Sequence, residues 1–146
     1  MAHKKAAGII VFQEKLGLIR YLLLCNLRGE WGFPKGGAKG GETILETALR
    51  ETKEETGIEE LEFQKGFKEQ IQYSCQRSNR KFWKTVDYFL ALNKNREVKL
   101  SSEHNKYLWL PYQAALKKMI FSSQKEILKK AQVFLGSKSS SAKTNL

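Results

Sequence analysis

The chain has 146 residues, of which 41% are hydrophobic, which fits one domain with a real core and excludes a disordered chain. Its net charge of +11 suits an anionic partner, such as a polyphosphate, or RNA held without sequence preference. No apolar run approaches a membrane span, the start MAHKKAAG lacks the apolar core of a signal peptide, and Cys25 and Cys75 are too few for a disulfide frame or a zinc site, so we expect a cytoplasmic monomer with free thiols and neither membrane nor DNA as partner.

Lys4 to Phe12 reads as a strand and Ile19 to Cys25 as a second, with Gln13 to Gly17 as a short link. Tyr21-Leu22-Leu23-Leu24 is too apolar to meet water on either face, so these strands are expected inside a sheet covered by helices. Asn26 to Glu30 is a polar turn. Trp31 and Phe33, two apart, share a face on a short strand. Pro34-Lys35-Gly36-Gly37 then constrains the backbone where it must approach something closely, with Lys35 at the mouth of the next segment.

That segment, GGAKGGETILETALRETKEETGI, carries the chemistry. Ile44, Leu45, Ala48 and Leu49 recur at helical spacing, and Gly57 suits a left-handed helix stop. Glu51, Glu54 and Glu55 project from one side of this helix. Three like charges repel, and Glu42 and Glu46 add to them, so stability alone does not select the cluster. A divalent cation does explain it, because hard carboxylate oxygens suit Mg²⁺ or Mn²⁺. The competing reading is a solvated acidic helix face.

Leu61 to Gln72 and Lys81 to Leu92 read as two further strands joined through the polar loop Cys75 to Arg80. Asn93 to Lys99 is a charged loop, and Tyr107 to Leu110 a short strand ended by Pro111. Tyr112 to Met119 and Ser122 to Leu135 read as helices, the second with Ser122 or Ser123 as N-cap and Gly136 as its stop. Residues 1–136 form the expected domain and 137–146 a mobile polar tail. Lys117, Lys118, Lys125, Lys129, Lys130, Lys138 and Lys143 place much of the excess charge near the C-terminus, as a solubilising face or a functional basic surface.

Gly36, Glu42, Arg50-Glu51, Glu54-Glu55, Gly57 and Ile58 stand at the spacing of the Nudix box, and the chain resembles the Nudix hydrolases. Thr52 is the one departure, at a position where the pattern prefers an aliphatic residue. The flanks Gly66-Phe67-Lys68, Lys84 to Ala91 and Ser101-Ser102-Glu103-His104, followed by Tyr107 and Trp109, resemble the asymmetrical diadenosine tetraphosphate hydrolases of that family. Glu30 stands where relatives often carry a histidine.

The resemblance implies an α/β fold, a mixed sheet sandwiched between helices. It implies hydrolysis of a dinucleoside polyphosphate, most simply diadenosine tetraphosphate to ATP and AMP. Glu51, Glu54, Glu55 and the Gly36 carbonyl would hold Mg²⁺, with Mn²⁺ as substitute. Glu54 or Glu103 would take the proton of the attacking water. Arg50 and Glu42 would orient the ligand glutamates, Lys35 and Lys84 would hold phosphate oxygens, and Tyr88, with Phe134 opposite, would stack on adenine. His104 is expected in a structural hydrogen bond, with a catalytic role as the alternative. The alternatives are removal of pyrophosphate from triphosphorylated RNA 5′ ends and a non-catalytic nucleotide- or RNA-binding module.

Overall fold

The computed structural model describes residues 2–94 and 97–144. Seven strands and three helices follow the order β1 (Ala2–Lys15), β2 (Leu18–Asn26), β3 (Trp31–Gly32), β4 (Lys35–Gly37), α1 (Ile44–Thr56), β5 (Glu62–Arg77), β6 (Arg80–Leu92), β7 (His104–Leu110), α2 (Tyr112–Lys118) and α3 (Ser122–Thr144). The strands form one mixed sheet in the order β3-β2-β1-β6-β5, with β4 added to β1 and β7 to β2. β1 and β6 are parallel over Ala2–Phe12, and the other pairs are antiparallel.

Alternation along the strands sends apolar side chains to both faces. Ala7, Ile9, Val11, Leu22, Leu24 and Ala91 meet Ala48 of α1 on one side. Ile10, Phe12, Tyr21, Leu23, Val86 and Leu90 meet Ala115 of α2 and Ile127, Leu128, Ala131 and Leu135 of α3 on the other. The expected α/β/α sandwich is thus observed. No helix among the described residues is long and apolar enough to cross a membrane.

Several boundaries differ from expectation. β1 and β2 meet in a tight hairpin at Leu16 and Gly17, both at positive φ, so most of the expected Gln13–Gly17 link is strand. β5 and β6 likewise extend through most of the expected Cys75–Arg80 loop, and only Ser78 and Asn79, at φ 48° and 67°, turn the chain. Gly136 does not stop α3, which continues to Thr144; a glycine inside a helix costs about 1 kcal/mol against alanine and does not by itself end one. Residues 95 and 96 of the expected Asn93–Lys99 loop, and 145 and 146 of the expected tail, lie outside the described residues.

β1 is shared between two partners on the same edge. Phe12–Lys15 pair with β2, whereas Ala6–Gly8 pair with β4. β2 in turn leaves β1 to pair with β3 at Leu24 and Cys25. The sheet therefore splays between β1 and β2, and the β3–β4 segment is held at the opening. Gly8 makes this possible, since a Cβ there would lie 2.4 Å from the Pro34 carbonyl oxygen and 2.7 Å from Lys35 Cβ.

Candidate active site

α1 is fixed at both ends. Thr43 and Glu46 form a reciprocal capping box, and Gly57 closes the helix at φ 75°, its N–H donating to the Lys53 carbonyl. Its buried residues are Thr47, Ala48, Thr52, Glu55 and Thr56, while Leu45 of the expected stripe is exposed. Ala48 is buried and Ile44 and Leu49 pack against the same cluster, so the rest of the expected stripe faces the sheet.

Arg50 organises them. Its Nε donates to Glu42 Oε2 at 2.6 Å, Nη2 to Glu42 Oε1 at 3.1 Å and to the Gly37 carbonyl at 2.8 Å, and Nη1 to Glu51 Oε1 at 2.8 Å and Glu54 Oε2 at 3.2 Å. This forked grip is the geometry for which arginine is suited. The Arg50 bond, aided by the Lys39 N–H and the Thr47 hydroxyl, holds the Glu42 carboxyl down at about 2. Hydrogen bonding to Glu42, offset by partial desolvation, raises the guanidinium above its usual range. Glu51 lies against Gly36 so closely that a Cβ there would fall 2.0 Å from its carboxylate carbon.

Glu55 is different. It is 3% exposed, its Oε1 accepts the Lys35 N–H at 3.3 Å, and His104 Nε2 stands 3.7 Å away. Burial, followed by the charge of Glu51, pushes its carboxyl up to about 8. The Lys35 ammonium is lowered, first by burial and then by the nearby Lys84. The segment carrying Glu103 and His104 is tied to the end of α1, with the Lys99 N–H donating to the Thr56 carbonyl at 2.8 Å and the Ser101 N–H to the Glu55 carbonyl at 3.3 Å. His104 is lowered by burial, and its Nδ1 has no partner, so the structural bond expected of it is replaced by an approach to Glu55.

Glu55, Lys35, Glu103 and His104 form one wall of a cavity of about 570 Å³. Its other walls carry Trp31, Phe33, Tyr73 and Phe121. The structure thus joins an acidic edge to an aromatic chamber through Lys35 and Glu55. Two expectations fail here. Tyr88 is 0% exposed and packs edge-to-face on Phe33, with ring centroids 5.6 Å apart, so no face of it is open to a base. Phe134 packs on Phe67 at 5.5 Å and does not line the cavity. The aromatics that do line it include Tyr73 and Phe121. Tyr73 shares the α3 side of β5 with Ile71, two residues away, and Phe121 immediately precedes α3; both signals are present in the sequence.

The donor set suits a hard divalent cation: three carboxylates and the backbone of a glycine that leaves room beside Glu51. Among the described residues no three acidic side chains already stand together as ligands. Glu51 and Glu54 are turned to Arg50, and Glu55 to the Lys35 N–H.

Residues 2–131 match the model of the NUDIX domain. The chain is 39% identical over 143 residues to a mouse protein named bis(5′-nucleosyl)-tetraphosphatase [asymmetrical], covering 90% of this chain and 95% of that one. The rat protein of the same name is 40% identical over 143 residues, with the same coverage. The crystal structure of a C. elegans Ap4A hydrolase binary complex superposes with a TM-score of 0.83 at 32% identity, covering 92% of this chain and 98% of that one. With the box residues gathered at one sheet edge and the match spanning nearly the whole chain, this protein belongs to the NUDIX family.

Proposed function

We propose that this chain is a divalent-cation-dependent hydrolase of dinucleoside polyphosphates that cuts diadenosine tetraphosphate into ATP and AMP. The observation that carries the reading is the junction at Lys35 and Glu55, which places an aromatic chamber of nucleoside size against an acidic edge. The names of the mouse, rat and C. elegans relatives support the same substrate.

In this reading Glu51, Glu54, Glu55 and the Gly36 carbonyl hold Mg²⁺, for which Mn²⁺ substitutes. The cation, when bound, supplies charge that screens the phosphates and lowers the pKa of water. Arg50 and Glu42 set the orientation of Glu51 and Glu54. Lys35 and Lys84 hold phosphate oxygens. Tyr73 and Phe121 present rings to a base, in the place expected of Tyr88 and Phe134.

Glu54 and Glu103 compete for the water's proton. Glu54 has a side chain 51% exposed beside Arg50, and Glu103 stands at the cavity wall. Glu54→Gln and Glu103→Gln separate the roles: the base variant loses kcat at every cation concentration, and a ligand variant regains part of it in excess Mn²⁺. Chromatography of products from diadenosine tetraphosphate tests the whole reading. ATP and AMP in equal amounts are expected, and an untouched substrate with Mg²⁺ or Mn²⁺ present overturns it.

A further inference from the structure

Beyond Tyr73 and Lys84, the outer half of the β5–β6 hairpin is a cationic surface that the proposed hydrolysis does not use. From Gln70 to Val86 the chain has no Asp or Glu and has four cations, Arg77, Arg80, Lys81 and Lys84. Arg77 stands opposite Arg80 across the antiparallel ladder, and Lys4 opposite Lys84 across the parallel one. Like charges directly opposed weaken a sheet. None of these cations has an ion-pair partner among the described residues. Stability does not account for this arrangement, whereas an anionic chain laid across it does.

The rings on the hairpin narrow the kind of chain. Phe82 lies beneath the Lys4 ammonium, 4.6 Å from ring centroid to nitrogen, and Trp83 is 41% exposed on the opposite face. Cations interleaved with open aromatics serve a single strand, whose bases are free to stack, better than a duplex, which offers phosphates alone. The pleat places Tyr73, Phe82 and Arg80 on one face, in a row that starts at the cavity wall and ends at the hairpin tip.

We infer that this hairpin is a docking track for single-stranded RNA that leads away from the cavity. The choice of RNA rests on the reading of the cavity as a nucleoside polyphosphate site, because an RNA chain begun from a nucleoside triphosphate keeps a polyphosphate at its 5′ end. An anionic lipid surface would also meet an exposed tryptophan among cations, and the test includes it.

Fluorescence anisotropy on the full chain in EDTA, with a 5′-triphosphorylated 12-nucleotide RNA, measures the affinity. The variant Arg77→Glu/Arg80→Glu/Lys81→Glu should bind at least tenfold more weakly, and its dependence of log Kd on log salt should be shallower by about 2. Phe82→Ala, on the same face as Tyr73 and Arg80, should weaken binding about fivefold or more. The control Lys117→Glu/Lys129→Glu/Lys130→Glu changes net charge equally and should cost less than twofold. Equal losses in both charge variants, tighter binding of duplex RNA or of same-sequence DNA, or hairpin-dependent binding to phosphatidylserine vesicles in place of RNA would overturn the inference. Diadenosine tetraphosphate turnover, assayed on the same samples, should be equal in wild type and hairpin variant. Its absence in both defeats the proposed hydrolysis, while the anisotropy still judges the hairpin.

Discussion

At the scale of single residues, the site depends on which atoms are missing and which charges are confined. Gly36 leaves the space that the Glu51 carboxylate fills. The obstructing group is the end of a flexible side chain, so Gly36→Ala should fold with a melting temperature within about 2 °C of wild type while Glu51 is displaced. We expect kcat to fall at least 100-fold and Mn²⁺ affinity, read by calorimetry, to fall at least tenfold. Glu55 gives a pH signature. Its folded carboxyl, near 8, lies above its ordinary value of 4.5, so the folded state binds the extra proton and stability falls as pH rises through that interval. His104, lowered by burial, opposes this near its ordinary 6.5. Glu42, held at about 2, acts only when pH falls below about 4.5. The difference in melting temperature between Glu55→Gln and metal-free wild type should therefore widen by several degrees from pH 5 to 8, and a constant difference would refute the burial argument. The acidic trio was legible in sequence because helical spacing alone puts it on one side. Tyr88 was not, because strand parity says which sheet face a ring takes but not that Phe33 and Gln124 close over that face.

At the scale of elements, α1 was readable because its signals are local: a capping pair, a 3.6-residue period and a glycine stop. The hairpin tip was less so. Cys75 to Arg80 is uniformly polar, and its strand character comes from cross-strand pairing, which composition does not reveal. Thr52, the one departure from the box pattern, now has a physical cost. It is 0% exposed in the middle of α1, and its hydroxyl has no hydrogen-bond partner. An aliphatic residue of the same shape removes that buried polar group without leaving a cavity. Thr52→Val should stabilise the protein by about 1 kcal/mol in urea unfolding, at unchanged kcat. Thr43→Ala at the other end of the same helix should cost about 1 kcal/mol by removing the capping box.

At the scale of the whole molecule, the site exists because the sheet opens between β1 and β2 while two separate apolar clusters hold its faces. Buried strands announce themselves in sequence, but the splay does not, since it depends on β4 docking against β1 at one position. That position is Gly8, where β1 passes so near Pro34 and Lys35 that no side chain fits. The obstructing atoms there are backbone oxygen and a Cβ, which cannot move aside as a carboxylate can. Gly8→Ala must therefore push β4 off β1 and carry Lys35 and Gly36 away from Glu55 and Glu51 together. We expect a loss of about 1–3 kcal/mol in stability and a fall in kcat well beyond what the unfolded fraction explains. Gly37→Ala, two residues after Lys35, meets nothing within 4 Å and has no positive φ, so it should leave both quantities near wild type. Urea unfolding and steady-state kinetics on the pair decide the matter. If Gly8→Ala melts and turns over like Gly37→Ala, the close approach of β1 to β4 is not what builds the site.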